Sequence, residues 1–210
     1  MSADLLTLTQ WLSPAFPLGS FAYSHGLETA IATDQVGDAA GLQDWLQLVL
    51  EEGAGAVDVT LLCLTQKGAD ADDLAALALA LATSRERQEE TLAQGRALVS
   101  TINQINGEDA PARPLPVALG VAARRLDLSP EQVAALYLHG FASNLVSVAV
   151  RFVPLGQTEG QRVLAGLHPT IQAVAARAAQ ATLDDLGSAA LGADLSAMQH
   201  EELDVRIFKT

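Results

Sequence analysis

Cysteine occurs once in the 210 residues, at Cys63. One thiol excludes an intramolecular disulfide framework and a cysteine-based zinc site. It sits in Val59-Thr60-Leu61-Leu62-Cys63-Leu64, a helix face where cysteine serves as a small hydrophobe. Lysine is almost as scarce: Lys67 and Lys209 follow Gln66 and Phe208, so the Gly-Lys pair of a phosphate-binding Walker loop is missing. Basic charge is in short supply too. Twelve Lys and Arg face 25 Asp and Glu, a formal net charge of −13. That argues against nucleic acid, whose phosphates require clustered Lys and Arg. It suits solubility or a basic protein partner equally well. Aromatics make up 4% against 50% hydrophobic residues, so the core is built from Leu, Ala and Val, a composition that favours closely packed helices.

Long uncharged runs are rare as well. The exception is Gln132 to Val150, long enough to cross a bilayer. His139, Ser143, Asn144 and Ser147 interrupt it and no basic flank marks a cytoplasmic side. It reads as a helix at the centre of a bundle. The opening MSADLLTLTQW lacks the basic region and cleavage site of a signal peptide, which makes the cytoplasm the expected location.

The most informative stretch present is Ser13 to Glu28, SPAFPLGSFAYSHGLE. Pro14 and Pro17 fix the backbone, Gly19 and Gly26 free it, and Phe16, Phe21, Tyr23 and His25 lie among them. Aromatics in a loop need something to pack on, so this is a rigid corner and not a linker. A short helix, Asp4 to Leu12, precedes it; a second follows Ser20 or Ser24, either able to cap it, and runs to about Thr33.

Helical signals continue along the chain. Asp38 caps a helix through Leu42, Trp45, Leu46, Val49 and Leu50, and Gly53 and Gly55 permit a break before Val57–Thr65. Asp70 to Asp73 start another helix, and Ser84 starts a charged one through Glu89, Glu90 and Arg96 whose polarity suggests a solvated face. Asn106 to Pro116 reads as a loop. Ser129-Pro130-Glu131-Gln132 combines a Ser cap, Pro at the first position and Gln at the third. Leu145–Val153 has strand propensity but continues that capped helix, and Pro169 should kink or divide the helix between Gly160 and Leu183.

The histidines show no metal-ligand spacing. His25, His139, His168 and His200 include no i, i+4 pair, and the segment His200-Glu201-Glu202-Leu203-Asp204 begins like a zinc-protease helix but ends on aspartate. His139 is expected in the core, His168 in a turn, and His200 in an acidic stretch where a metal makes at most a transient contact. Ser24 is expected as a cap and His25 as a packing or partner-facing residue, since neighbours in sequence point about 100° apart on a helix.

Three blocks carry a family resemblance. SPAFPLGSFAYSHGLE resembles the N-terminal signature of the F-type urease accessory proteins. Pro154-Leu155-Gly156-Gln157-Thr158-Glu159-Gly160-Gln161 resembles the family's PLGQxxGQ segment, and Asp194-Leu195-Ser196 through Phe208 its D-x-S-x-M-x-H-E…R-L-F tail. Gln199 and Asp204 depart from the tail, where the family usually has a basic residue and a tyrosine, and Ser24-His25-Gly26 departs from its commoner corner.

The resemblance implies an all-α, single-domain compact bundle over residues 1–195, with a partner-dependent C-terminal tail over 196–210. It implies a non-enzymatic adaptor in GTP-dependent nickel insertion, homodimeric, binding the D (or H) type accessory protein, recruiting the G-type P-loop GTPase and docking on apo-urease. No cofactor would be held permanently, with nickel only in transit. Partner contacts are expected at Phe16, Gly19, Phe21, Tyr23, Ser24, His25, Gly26 and Glu28 of the corner. In the tail they fall on Met198, His200, Glu201, Arg206, Ile207 and Phe208, where Met198, Ile207 and Phe208 resemble anchors for a partner groove. Two other classes compete: a helical hydrolase using Ser24, His25 and Glu28, or Glu201 with His200, and a binding module in which Val133–Val150 walls a cavity for an apolar ligand.

Overall fold

The structure, a computed structural model, describes residues 2–210. Among these the chain is helical throughout, without a strand. Helix α1 (Ala3–Trp11) is capped by Ser2. After the corner come α2 (Leu27–Ala32) and α3 (Ala39–Glu52), the latter capped by Asp38 as expected. Gly53 separates α3 from α4 (Ala54–Gln66), and the two pack side by side. Gly55 allows this: a Cβ there would stand 2.9 Å from the Leu50 Cα.

Asp70 caps α5 (Ala71–Ala80) and Ser84 caps α6 (Arg85–Asn106). The expected loop separates α6 from α7 (Leu115–Ala123). Ser129 and Gln132 form a reciprocal capping box at the start of α8 (Pro130–Ala149). Pro169 divides the next stretch into α9 (Gln157–Gly166) and α10 (His168–Gln180). Helix α11 (Leu191–His200) leads into the C-terminal segment.

Helices α4 and α8 form the centre, with α7 and α10 packed on them. Val133, Leu138, Leu145 and Ala149 of α8 are buried in the main core, so the uncharged run is an interior helix. No helix among the described residues is long and apolar enough to cross a membrane. Close helix contacts rest on small residues: a Cβ on Gly120 of α7 would stand 2.7 Å from the Leu62 carbonyl oxygen of α4. Cys63 is fully buried in α4, and burial pushes its thiol up to about 12.

Several expectations are revised. Ser20 does not cap α2, since it opens a 3₁₀ turn, Ser20–Ala22; Gly26, in the left-handed region, precedes Leu27, and the Ser24 hydroxyl accepts the first-turn Glu28 N–H at 3.3 Å. The charged start of α6 is a solvated face only in part: Glu89 and Arg96 are exposed, but Glu86, Arg87, Glu90, Thr91 and Gln94 are buried. His139 is exposed, tilted against the His168 ring at 5.7 Å, and burial of part of its surface with His168 nearby holds its imidazole below the usual value. His168 opens α10 and does not sit in a turn. Helix α11 runs through residue 195, and the chain after it folds back on the corner.

Candidate functional site

The corner and the C-terminal segment meet. The Ser24 N–H donates to the Thr210 carbonyl at 2.9 Å, the Lys209 N–H donates to the Ala22 carbonyl at 2.8 Å, and the Ser24 hydroxyl also donates to the Thr210 carbonyl. On the other side, Asn144 of α8 donates to the Ser20 carbonyl at 2.7 Å and the Tyr23 carbonyl at 3.3 Å. Thus backbone groups that no helix could satisfy are paired across the seam.

Glu28 on the first turn of α2 is the hub. It accepts the N–H groups of Ile207 at 2.9 Å and Phe208 at 3.0 Å, and its Oε2 lies 3.0 Å from His200 Nε2. The other His200 nitrogen, Nδ1, lies 2.7 Å from Glu86 of α6, so each ring nitrogen has a carboxylate oxygen as partner. Arg206 then closes on the second Glu86 oxygen at 2.6 Å. Glu201 accepts the Arg85 N–H at 2.8 Å and its guanidinium at 3.1 Å, which gives the first turn of α6 an acidic cap from α11.

A second, deeper set continues inward. His25 has φ 53° and places Nε2 2.9 Å from Glu90, with the ring edge-on to Phe141 at 4.6 Å. Gln94 donates to Glu90 at 3.0 Å, and Arg87 lies 3.6 Å from it. Arg87 also meets Asp58 of α4 at 2.6 Å, and the Tyr137 hydroxyl of α8 donates to the same Asp58 oxygen at 2.6 Å. This seam therefore ties α2, α4, α6, α8 and α11 together.

Charge inside a protein is tolerated only when it is paired, and the titration of these groups follows. Burial would push the Glu28 carboxyl up, but the hydrogen bonds from His200, Phe208 and Ile207 hold it below the ordinary value. Glu90 is likewise held low: burial is outweighed by His25, Arg87 and the Thr210 hydroxyl. Burial opposes the charge on Arg87, yet Asp58 and Glu90 strengthen it. Tyr137 is raised well above its usual value by burial and by Asp58.

The sequence-predicted residues fall into two groups. Phe16, Tyr23, Ser24, His25, Glu28, His200 and Phe208 are buried within the chain, and Gly26 lies against α11. Phe208 packs edge-on to Phe152 at 5.4 Å, so its pocket is internal. Phe21, Met198 and Ile207 face outward, at 66%, 46% and 64% exposure. Arg206 and Glu201 are engaged in the ion pairs just described, and Gly19 turns with φ 72° in open space.

Ser24 and His25 form no nucleophile–base pair, since the serine bonds Thr210 and the imidazole bonds Glu90. His200 and Glu201 diverge in the same way, towards Glu28 with Glu86 and towards Arg85. Among the described residues no group of three or more His, Cys, Asp or Glu is placed to hold a metal ion. A cleft of about 540 Å³ opens between the corner, α6 and α8, where the apolar Trp11, Phe16 and Phe141 line it beside His25, Arg87, Glu90 and Tyr137 of the deeper set.

Sequence reasoning missed Asp58, Glu86, Arg87, Glu90 and Tyr137. One signal was available: Arg87, Thr91, Gln94, Leu98 and Ile102 recur at helical spacing, so the polar residues share a face with two core residues.

A family model described as UreF matches residues 36–168. A protein from Cereibacter sphaeroides (strain KD131 / KCTC 12085), "Urease accessory protein UreF", is 59% identical over 210 residues, covering all of both chains. A relative of the same description from Jannaschia sp. (strain CCS1) is 54% identical, covering all of this chain and 96% of its own. Another from Rhodopseudomonas palustris (strain TIE-1) is 42% identical over 224 residues, with 100% and 93% covered.

Proposed function

The chain belongs to the UreF family of urease accessory proteins, and from that footing we propose that it is a non-catalytic adaptor that scaffolds and regulates GTP-dependent nickel insertion into apo-urease. It binds the D (or H) type accessory protein, recruits the G-type GTPase, works as a homodimer in the cytoplasm, and meets nickel only as cargo in transit. The observation that carries the adaptor reading is how side chains are spent. The polar groups a catalyst would present to substrate are consumed in the seam, while Phe21, Met198 and Ile207 are left on the surface. Exposed apolar residues gathered on an ordered frame are what a protein partner recognises.

The test is reconstitution. Purified alone, the protein is expected to hydrolyse no GTP. With the D-type protein it forms a stable complex on gel filtration that captures the GTPase and raises urease activity in the presence of nickel and GTP. Absence of the complex, or hydrolysis that tracks with mutations in this chain, contradicts the proposal.

The cleft beside α8 favours a second reading, in which the chain also holds an apolar ligand. Native mass spectrometry of freshly purified protein, showing a stoichiometric bound lipid, would support it.

A further inference from the structure

Two of the four histidines have no task in the seam. His25 and His200 are buried and bonded to carboxylates. His139 and His168 are exposed, and no hydrogen bond or ion pair among the described residues engages either ring. They stand on different helices, so no spacing along the chain announces them. The fold nevertheless sets the two rings 5.7 Å apart, centroid to centroid, and tilted by 42°. Both are held there by rigid backbone. His139 lies in the middle of α8 beside the fully buried Leu138, and α10 packs against α8. His168 opens α10 between Leu167, also buried, and Pro169, whose ring fixes the first turn.

Each neutral imidazole offers one nitrogen lone pair, and a metal ion takes two such pairs at a defined separation. An ion held about 2.0–2.1 Å from each ring nitrogen lies about 3.2 Å from each ring centre. The two centres are then about 5.2 Å apart at a tetrahedral angle and about 6.4 Å apart with the ion in line. The observed 5.7 Å falls between those limits. We propose that His139 and His168 form an open, two-imidazole site for a late first-row divalent metal ion, with zinc as the simplest case. Imidazole nitrogen selects such ions over magnesium and calcium, which require oxygen ligands. Among the described residues no group of three or more His, Cys, Asp or Glu is placed around an ion, so water completes the coordination. A structural site closes on four protein ligands; this one is open and exchanges its ion. The inference goes beyond the adaptor reading and does not depend on it.

The test uses the full chain, free of any histidine tag, with Zn2+ alone as probe and Mg2+ as control. Calorimetry is expected to show one saturable zinc ion per chain and no magnesium binding. In NMR of the imidazole groups, zinc is expected to shift the His139 and His168 rings together and to leave His25 and His200 unmoved. His139→Ala and His168→Ala each remove an exposed side chain, so circular dichroism and melting without metal are expected to be unchanged. Each is expected to weaken zinc binding at least about tenfold, since losing even the hydrogen-bond partner of a ligand costs that much. Wild-type zinc affinity in either variant, a shift confined to one of the two rings, or no saturable binding by the wild type overturns the inference. One ion per two chains would make the site a bridge between copies and overturn it as well.

Discussion

Glu28 shows how much one residue can hold. Its carboxylate accepts two backbone N–H groups of the C-terminal segment and faces His200, 172 positions away in sequence. Burial alone would raise its proton affinity, but those donors hold its carboxyl below the ordinary range, as His25 and Arg87 do for Glu90. A carboxylate depressed in the folded state binds its proton less readily there than in the unfolded chain. Its stabilisation is therefore complete above the unfolded value of about 4.3 and is lost as pH falls through the lower, folded value. Urea-unfolding midpoints measured from neutral pH downwards are expected to hold level and then drop below about pH 4. Glu28→Gln should lower the neutral plateau and flatten the acid limb; an acid limb identical to wild type would detach Glu28 from the effect. Both Glu28 and His200 are visible in the sequence as polar groups in unusual company. That they satisfy each other is not, because nothing local in either segment encodes a contact across almost the whole chain.

At the scale of elements, caps and breaks were legible because they act within a turn: Asp38, Asp70, Ser84 and the Ser129–Gln132 box all stand where the sequence puts them. Helix α6 was legible only in part, because polarity describes side chains and not their neighbours: Glu89 and Arg96 face solvent, while Glu86, Arg87 and Glu90 turn inward and Asp58 meets Arg87 there. The corner glycines carry a sharper test. Gly19 and Gly26 both have positive φ, of 72° and 77°. A Cβ on Gly19 meets nothing within 4 Å, whereas one on Gly26 would stand 2.6 Å from the Ala197 backbone nitrogen. From sequence the two substitutions to valine look equivalent, each weakening partner binding with helicity intact. The structure separates them. Gly19→Val should lose only the left-handed preference, about 1–2 kcal/mol. Gly26→Val adds a clash of backbone against backbone, about 1–3 kcal/mol more, and should lift α11 from α2. Denaturant unfolding and hydrogen exchange of α11 amides read both, and equal effects of the two variants would mean that α11 does not rest on Gly26.

For the whole molecule the question is what closes the fold. The sequence presents the last fifteen residues as a tail ordered by a partner, since small residues and Gly187 and Gly192 precede apolar groups that a free end has no use for. In the structure those groups divide: Ser196, Ala197, His200, Phe208 and Thr210 are buried on the chain's own corner, and Met198, Val205 and Ile207 remain outside. Deleting 196–210 would thus remove the partners of Glu28 and Glu86, and breaking a buried pair by removing one side typically costs about 3–5 kcal/mol. Water reaching the opened seam relieves part of that, so a loss near the lower end, about 3 kcal/mol, is the expected outcome. In a chain of this size it corresponds to about 6–12 °C in melting temperature. Deleting only Lys209 and Thr210 keeps Phe208 and the Glu28 bonds, and should lower the melting temperature by less while loosening the Ser24 contact. Urease activation alone cannot discriminate, because a lost docking surface and a loosened fold both abolish it; the melting series can. If the protein lacking 196–210 melts with the intact chain, the seam contributes no stability, and the ordering of the segment must be assigned to a partner after all.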